Sequence, residues 1–140
     1  MIGLVILAQK DVAAGLLEAV DHVLGHRPQA LTAFPVSYDT PPDELACALR
    51  AAIDALDCGD GVLILADIYG ATHNNVACRL LEPHHIELVT GVNLPMLIRV
   101  LNYRNRSLDE VIDKALSGGI EGIVRATEFC LMDGDKHELR

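Results

Sequence analysis

Short apolar runs alternate with segments of helical periodicity along the chain, and this alternation is the feature that most constrains the fold. The run VLILA at residues 62–66 is wholly aliphatic and is bounded by a glycine-rich turn and a polar loop. A strand buried on both faces of a parallel sheet has this composition. Similar runs occupy residues 2–8, 30–36 and 86–90. Four strands that alternate with helices predict an α/β protein with a parallel sheet.

The starts and ends of the helices are indicated by capping residues. We expect Asp11 and Asn93 to cap the helices that follow them, and Ser107 to open a capping box with Glu110. Pro41 and Pro42 suit the first turn of the second helix, where a missing N–H does no harm. The pair Gly118-Gly119 is expected to kink or end the last long helix.

Right-handed crossovers between the strands favour an open, doubly wound sheet of order 2-1-3-4 with helices on both faces. Residues 126–131 could add an edge strand, although their alternation is weak. Ligands of such sheets bind beyond the carboxyl ends of the strands, where the strand order reverses. Here that point lies between strands one and three. It brings Gln9 and Lys10 opposite the loop at residues 67–75.

Composition excludes several functional classes. The 140 residues suit one domain with a sizeable core. The net charge is −9 and the eleven basic residues are scattered, which argues against nucleic-acid binding. The first apolar run is too short to span a membrane and lacks a basic region before it, so we expect a cytoplasmic protein. Neither the histidines nor the four separated cysteines have the spacing of a metal site, and no cofactor is predicted.

The predicted crevice has the features of a phosphate site. Three helices are expected to begin beside it, at about residues 12, 73 and 94, and their free N–H groups favour an anion. Asp67 ends the central strand and can accept a hydrogen bond from the first loop, while Gly70 and Ala71 allow a close turn. Thr72 offers a hydroxyl group. Considered one at a time, residues such as Asp67, Thr72 and Asn93 more often cap helices or close turns than bind a ligand.

Taken together, four stretches resemble one family. They are ADIYGATHNNVACRLL, TGVNLPMLIRVL, MIGLVIL and LDCGDGVLIL. The chain resembles the mannose-type enzyme IIA of the bacterial phosphoenolpyruvate-dependent sugar phosphotransferase system over about residues 1–126, with residues 127–140 as an extension. The resemblance implies a flavodoxin-like sheet, a homodimer and a phosphoryl carrier that is loaded by the small carrier protein HPr. Apolar residues of the tail could supply part of the dimer contact: Phe129, Leu131 and Met132.

The position of the family's phosphoryl acceptor is altered in this chain. The resemblance places the acceptor histidine at the end of the first strand, within a Thr-His pair, but this sequence has Ala8-Gln9 there. The family aspartate that orients the histidine is matched by Asp67, and a family proline is replaced by His73. The loop after the aspartate is matched by Gly70, Ala71 and Thr72. A phosphocarrier needs a nitrogen lone pair, and the amide nitrogen of Gln9 is delocalised into its carbonyl.

Three hypotheses follow from this substitution. In the first, the chain is a phosphorylation-silent protein whose Gln9 donates its NH₂ to Asp67 and whose crevice docks an HPr-like phosphocarrier or another phosphotransferase protein. In the second, His73, an exposed residue at a helix start, is a relocated acceptor whose neutral ring is favoured by the helix dipole. In the third, the helix N-termini bind a phosphorylated metabolite.

Overall fold

Four parallel strands form one sheet in the order β2-β1-β3-β4, which confirms the predicted topology. The structure is a computed structural model, and it describes residues 1–68 and 72–132. The strands are β1 (Gly3–Gln9), β2 (Leu31–Val36), β3 (Val62–Ala66) and β4 (Ile86–Thr90). β1 and β3 lie at the centre, and Leu7 of β1 is in register with Ala66 of β3. The central position of β3 explains its aliphatic sequence, since all five of its residues are buried.

Helices cover both faces of the sheet, as predicted. Those of the described residues are α1 (Lys10–Leu24), α2 (Pro42–Leu56), α3 (Thr72–Cys78), α4 (Leu94–Tyr103), α5 (Leu108–Glu121) and α6 (Ala126–Met132). Because side chains alternate along a strand, Leu4 and Ile6 pack with α1, α4 and α5, whereas Val5 and Leu7 pack with α2 and α3. None of these helices is long and apolar enough to cross a membrane.

The edge strand suggested for residues 126–131 is wrong, because this segment forms helix α6. Its described side chains are exposed, so packing on a sheet does not decide its conformation. The segment has mixed propensity, in which the good helix formers Ala126, Glu128 and Leu131 favour the helix that is observed.

The expected end of the helix at Gly118-Gly119 is also wrong, since α5 continues through the pair to Glu121. The two glycines allow α4 to approach closely. A Cβ atom on Gly118 would lie 2.6 Å from Cβ of Arg99, and one on Gly119 would lie 2.9 Å from Cε of Met96. The glycines serve helix packing at this position, which compensates for their low helix propensity.

Arg104, just after α4, connects the amino ends of β1 and β2 by hydrogen bonds. Its guanidinium donates to the carbonyl of Ile2 at 2.6 Å from Nη2 and to that of Ala30 at 2.8 Å, and it also reaches the carbonyl of Gln29. Only 5% of the residue is exposed. Burial lowers the pKa of Arg104 from its usual value, but a guanidinium stays charged in proteins.

Candidate functional site

The carboxyl ends of β1 and β3 meet, and they bring Gln9 and Asp67 together as the sequence predicts. The backbone N–H of Gln9 donates to Oδ2 of Asp67 over 3.1 Å. This contact follows from the parallel register, in which the residues that end adjacent strands are neighbours. The switch point of the sheet therefore carries the position that the sequence analysis singled out.

The side chain of Gln9 is the N-cap of α1. Its Oε1 accepts hydrogen bonds from the backbone N–H groups of Asp11, at 3.0 Å, and Val12, at 3.2 Å. The expectation that Asp11 caps this helix is therefore wrong, because α1 already begins at Lys10. Gln9 contacts Asp67 through its backbone and not through its NH₂ group. The amide oxygen satisfies two helix donors at once, so it faces α1.

Asp67 accepts hydrogen bonds from three groups. Besides the Gln9 amide, the backbone N–H of Ile68 donates to Oδ1 at 2.8 Å, and Nε2 of His73 lies 3.0 Å from the same oxygen. Burial opposes ionisation of Asp67, but the bonds from His73, Gln9 and Ile68 outweigh it and hold the pKa of the carboxyl below its usual value. Asp67 is therefore a carboxylate whose two oxygens are already engaged.

His73 is buried, with only 2% of the residue exposed, and the expectation of an exposed histidine is wrong. It lies in the first turn of α3, which packs against α2 and the sheet through Val76 and Ala77. Because a carboxylate can only accept, Nε2 carries the proton that it donates to Asp67. Nδ1 of a neutral His73 ring then holds a lone pair, and this atom has no hydrogen-bond partner in the part of the chain that the structure describes.

Asn74, the next residue, is buried as well. Its Nδ2 donates to the carbonyl of Ile68, which fastens the start of α3 to the end of β3. Its Oδ1 is the second buried side-chain atom without a partner among the described residues. Buried polar atoms nearly always have a hydrogen-bond partner, so two neighbouring side chains with an unpartnered atom make the start of α3 a candidate functional site.

A cavity of about 490 Å³ opens beside Gln9, between the ends of β1 and β2. Its polar lining includes Lys10, Ser37, Tyr38 and Asp39. The sequence analysis placed Lys10 at the site but missed the residues that follow β2. The signal that could have revealed them is the polar stretch SYDT directly after a predicted strand.

The remaining predicted site residues are Asn93, Gly70, Ala71 and Thr72. Asn93 caps α4, since its Oδ1 accepts from the N–H of Met96 at 2.9 Å and its Nδ2 donates to the carbonyl of Gly119 at 3.2 Å. These bonds give Asn93 a structural role. Gly70 and Ala71 lie outside the described residues, and so does the side chain of Thr72.

The comparisons with known proteins agree on one family. The model of the family described as "PTS system fructose IIA component" matches residues 3–116. The mannose-specific EIIAB component of the phosphotransferase system of Escherichia coli K12 is 38% identical over 77 residues, which are 53% of this chain and 24% of that protein. The same component from Shigella flexneri gives the same values. The match thus spans about a quarter of the length of these relatives.

Solved structures show the same fold. The phosphotransferase system component EIIA from Streptococcus agalactiae superimposes with a TM-score of 0.80 at 24% identity, covering 91% of this chain and 99% of that one. The mannose/sorbose-specific IIA subunit from Enterococcus faecalis has a TM-score of 0.77 at 20% identity, covering 89% of this chain and 93% of that one.

Proposed function

Because this chain belongs to the IIA family of the phosphoenolpyruvate-dependent sugar phosphotransferase system, we propose that it is a phosphorylation-silent IIA-type protein that acts by binding other proteins of that system. The observation that carries the proposal is the role of Gln9, whose side chain caps α1 at the position where the resemblance to the family puts the acceptor. Residues 1–126 form the IIA-type domain and residues 127–140 an extension of it.

Gln9 removes the chemistry in two ways. Its amide nitrogen has no available lone pair, so it cannot form the phosphoramidate bond that a carrier needs. Its amide oxygen also accepts from the N–H groups of Asp11 and Val12, which would otherwise be free for the oxygens of a phosphoryl group. Gln9 thus replaces both the nucleophile and part of the anion site.

His73 adds a third change, because it engages the aspartate that the family uses to orient its acceptor. Oδ1 of Asp67 already accepts from Nε2 of His73 and from the N–H of Ile68. A histidine placed at position 9 would compete with His73 for this carboxylate. The substitutions at positions 9 and 73 therefore support each other as parts of one silent site.

A relocated acceptor at His73 is the second candidate. The unpartnered Nδ1 favours it, because the proton on Nε2 leaves the lone pair on Nδ1 and Asp67 fixes the ring. Burial opposes it, since a phosphoryl donor must approach the attacking nitrogen in line and the residue is almost fully covered. Transfer to His73 would require the start of α3 to open.

A metabolite-binding module is the weakest candidate. The cavity beside Gln9 has the size of a small-molecule site, but the charged residues that line it are one cation, Lys10, and one anion, Asp39. A phosphorylated ligand would gain little net attraction there. The capping oxygen of Gln9 also reduces the number of N–H groups at α1 that are free for phosphate.

The proposed partners are an HPr-like phosphocarrier and a second copy of this chain in the cytoplasm. The support for a homodimer is an apolar surface at the end of α5 and along α6, where Ile120, Ile123, Phe129 and Leu131 are exposed. Light scattering at high micromolar concentration should give the mass of a dimer. A monomer under these conditions would remove this part of the proposal.

The central experiment is incubation of the chain with phosphoenolpyruvate, enzyme I and HPr, followed by intact mass measurement in mildly alkaline buffer. The unmodified chain should gain no phosphoryl mass while it still binds HPr. If it is phosphorylated and His73→Ala abolishes the signal, the relocated acceptor is correct and the silent site is refuted.

Variants at positions 9 and 73 separate the loss of the nucleophile from the loss of its orienting group. Gln9→His should accept a phosphoryl group slowly, because Asp67 is still engaged by His73. Gln9→His combined with His73→Pro removes the His73 donor from Oδ1 of Asp67 and should raise the rate roughly tenfold, as loss or gain of an orienting partner commonly does. Proline is tolerated in the first turn of a helix, so α3 should survive. A double variant that is neither phosphorylated nor bound by HPr would leave a protein with the family fold and other partners.

A further inference from the structure

Three side chains with metal-binding atoms meet at the amino end of the sheet, opposite the end that carries Gln9. His84 lies just before β4, Glu87 is the second residue of β4, and Asp109 lies in the first turn of α5. One ligand atom from each of the three lies within 4.8 Å of the others. Nδ1 of His84 is 2.9 Å from Oδ2 of Asp109, and the backbone N–H of His84 donates to Oε2 of Glu87 at 3.4 Å.

The donor set is one imidazole nitrogen and two carboxylate oxygens, which is the set that borderline divalent ions such as Zn²⁺ accept. Zinc binds nitrogen and oxygen ligands at about 2.0–2.2 Å, so two ligand atoms on one tetrahedral ion lie roughly 3.4 Å apart. The three ligand atoms lie within 4.8 Å of one another, and Nδ1 of His84 and Oδ2 of Asp109 are already 2.9 Å apart. Since His84 and Asp109 are exposed, small rotations of their side chains are enough to complete the arrangement.

The charge at this cluster is not balanced. Neither Glu87 nor Asp109 forms an ion pair with a lysine or arginine within residues 1–68 and 72–132, and His84 is the basic side chain within reach. Glu87 is half-buried, so its carboxylate is also partly removed from water. The neighbouring His85 is directed elsewhere, because its Nε2 lies 2.6 Å from Oδ2 of Asp57. A divalent cation would neutralise the two carboxylates that this loop and helix bring together.

We propose that His84, Glu87 and Asp109 bind a divalent transition-metal ion of the Zn²⁺ class. The ion joins the loop before β4 to the start of α5, two elements that the hydrogen bond between His84 and Asp109 connects in its absence. Three protein ligands leave coordination positions for water or for a donor from another molecule. The site is at the opposite end of the sheet from Gln9 and is independent of the phosphotransferase proposal.

The experiment is calorimetric titration of the chelator-treated, tag-free chain with Zn²⁺, together with its melting temperature with and without the ion. We expect saturable binding of one ion and a rise in the melting temperature, because the folded state alone brings the ligands together. The decisive variant is His84→Gly. His84 has a positive φ of 66°, so glycine removes the imidazole and suits the backbone at the same time. It should weaken Zn²⁺ binding by roughly tenfold or more, since changing even an outer partner of a metal site has that effect.

Two further variants make the result specific. Glu87→Gln should also weaken Zn²⁺ binding. Cys58→Ser tests a competing site, because the exposed thiol of Cys58 lies near Asp60 and the terminal amine and could hold zinc itself. Binding that persists in Cys58→Ser and falls in the other two variants supports the proposed site. Binding that is lost in Cys58→Ser, is unchanged in His84→Gly, or is absent from the unmodified chain overturns it.

Discussion

Among the residues that the structure describes, the buried side-chain polar atoms at the amino end of the sheet are paired, whereas two at the carboxyl end are not. Arg104 donates to the carbonyls of Ile2, Gln29 and Ala30, the last of which also accepts from the N–H of Leu4. At the other end, Nδ1 of His73 and Oδ1 of Asn74 have no partner among the described residues. An unpaired buried polar atom carries a free-energy cost, and such costs tend to persist where they serve a function.

The two ends of the sheet also differ in the role of an aspartate–histidine pair. At the amino end Asp57 accepts from the N–H groups of Gly59 and Gly61 as well as from His85, and it closes the turn before β3. At the carboxyl end Asp67 holds His73 at the start of α3. The first pair stabilises a turn, while the second lies at the switch point of the sheet, where α/β proteins bind their ligands. We therefore expect changes at Asp57 or Arg104 to alter stability and to leave the binding of HPr unchanged.

The largest effect on stability is expected for Arg104→Met. Methionine fills much of the volume but leaves buried carbonyl groups without a donor, and each such loss costs about 1–3 kcal/mol. The free energy of unfolding in urea should fall by roughly 3 kcal/mol. The matched control is Arg27→Met, because Arg27 forms an exposed pair with Asp21 and its loss should change stability very little. If the two variants are equally stable, the amino end is not held as the structure indicates.

The strand order was predictable because several features of the sequence indicate it independently. A wholly aliphatic β3 and four alternating strand–helix units allow few arrangements, so the interruption of the β2 run by Pro35 did not affect the outcome. The error at α6 has the opposite cause. Its side chains are exposed, no core residue fixes its conformation, and a short segment with mixed propensity could be either strand or helix.

At the candidate site, the sequence predicted neighbouring residues more reliably than the hydrogen bonds between them. The proximity of residues 9 and 67 follows from strand order and register alone. Whether Gln9 caps α1, and whether His73 is buried, depends on the exact residue at which each helix begins. Helix boundaries are the least certain part of any prediction from sequence, so the cap assigned to Asp11 was wrong, whereas the cap assigned to Asn93 was right.

A smaller effect with a distinct pH dependence is expected for Asp67→Asn. An amide cannot accept from His73, Ile68 and Gln9 together, so the free energy of unfolding at pH 7 should fall by roughly 1–2 kcal/mol. Because the pKa of Asp67 is lowered in the folded state, its contribution is fully present above the unfolded value of about 3.9 and is lost as the pH falls through the lower folded value. Urea unfolding between pH 7 and pH 3 should show the two proteins converging below about pH 4.

The control for Asp67→Asn is Asp54→Asn on the exposed side of α2, which should leave stability nearly unchanged at every pH. A constant difference between Asp67→Asn and the unmodified chain down to pH 3 would show that the Asp67 carboxylate is not stabilised in the folded state. The carboxyl end would then lack the hydrogen-bonded carboxylate on which both phosphotransferase hypotheses rely.

The smallest effect on the free energy of unfolding is expected for changes to the N-cap of α1. Gln9→Ala removes the acceptor for the N–H groups of Asp11 and Val12 and should lower the free energy of unfolding by about 1 kcal/mol. Gln9→Ser retains a good N-cap and should be as stable as the unmodified chain. Equal stability of all three proteins would show that Gln9 does not cap α1 in solution and that its amide oxygen leaves those N–H groups free. Since the cap contributes so little, the Gln9→His variant should remain folded. A failure of that variant to accept a phosphoryl group would then reflect the engagement of Asp67 by His73 and not the loss of the fold.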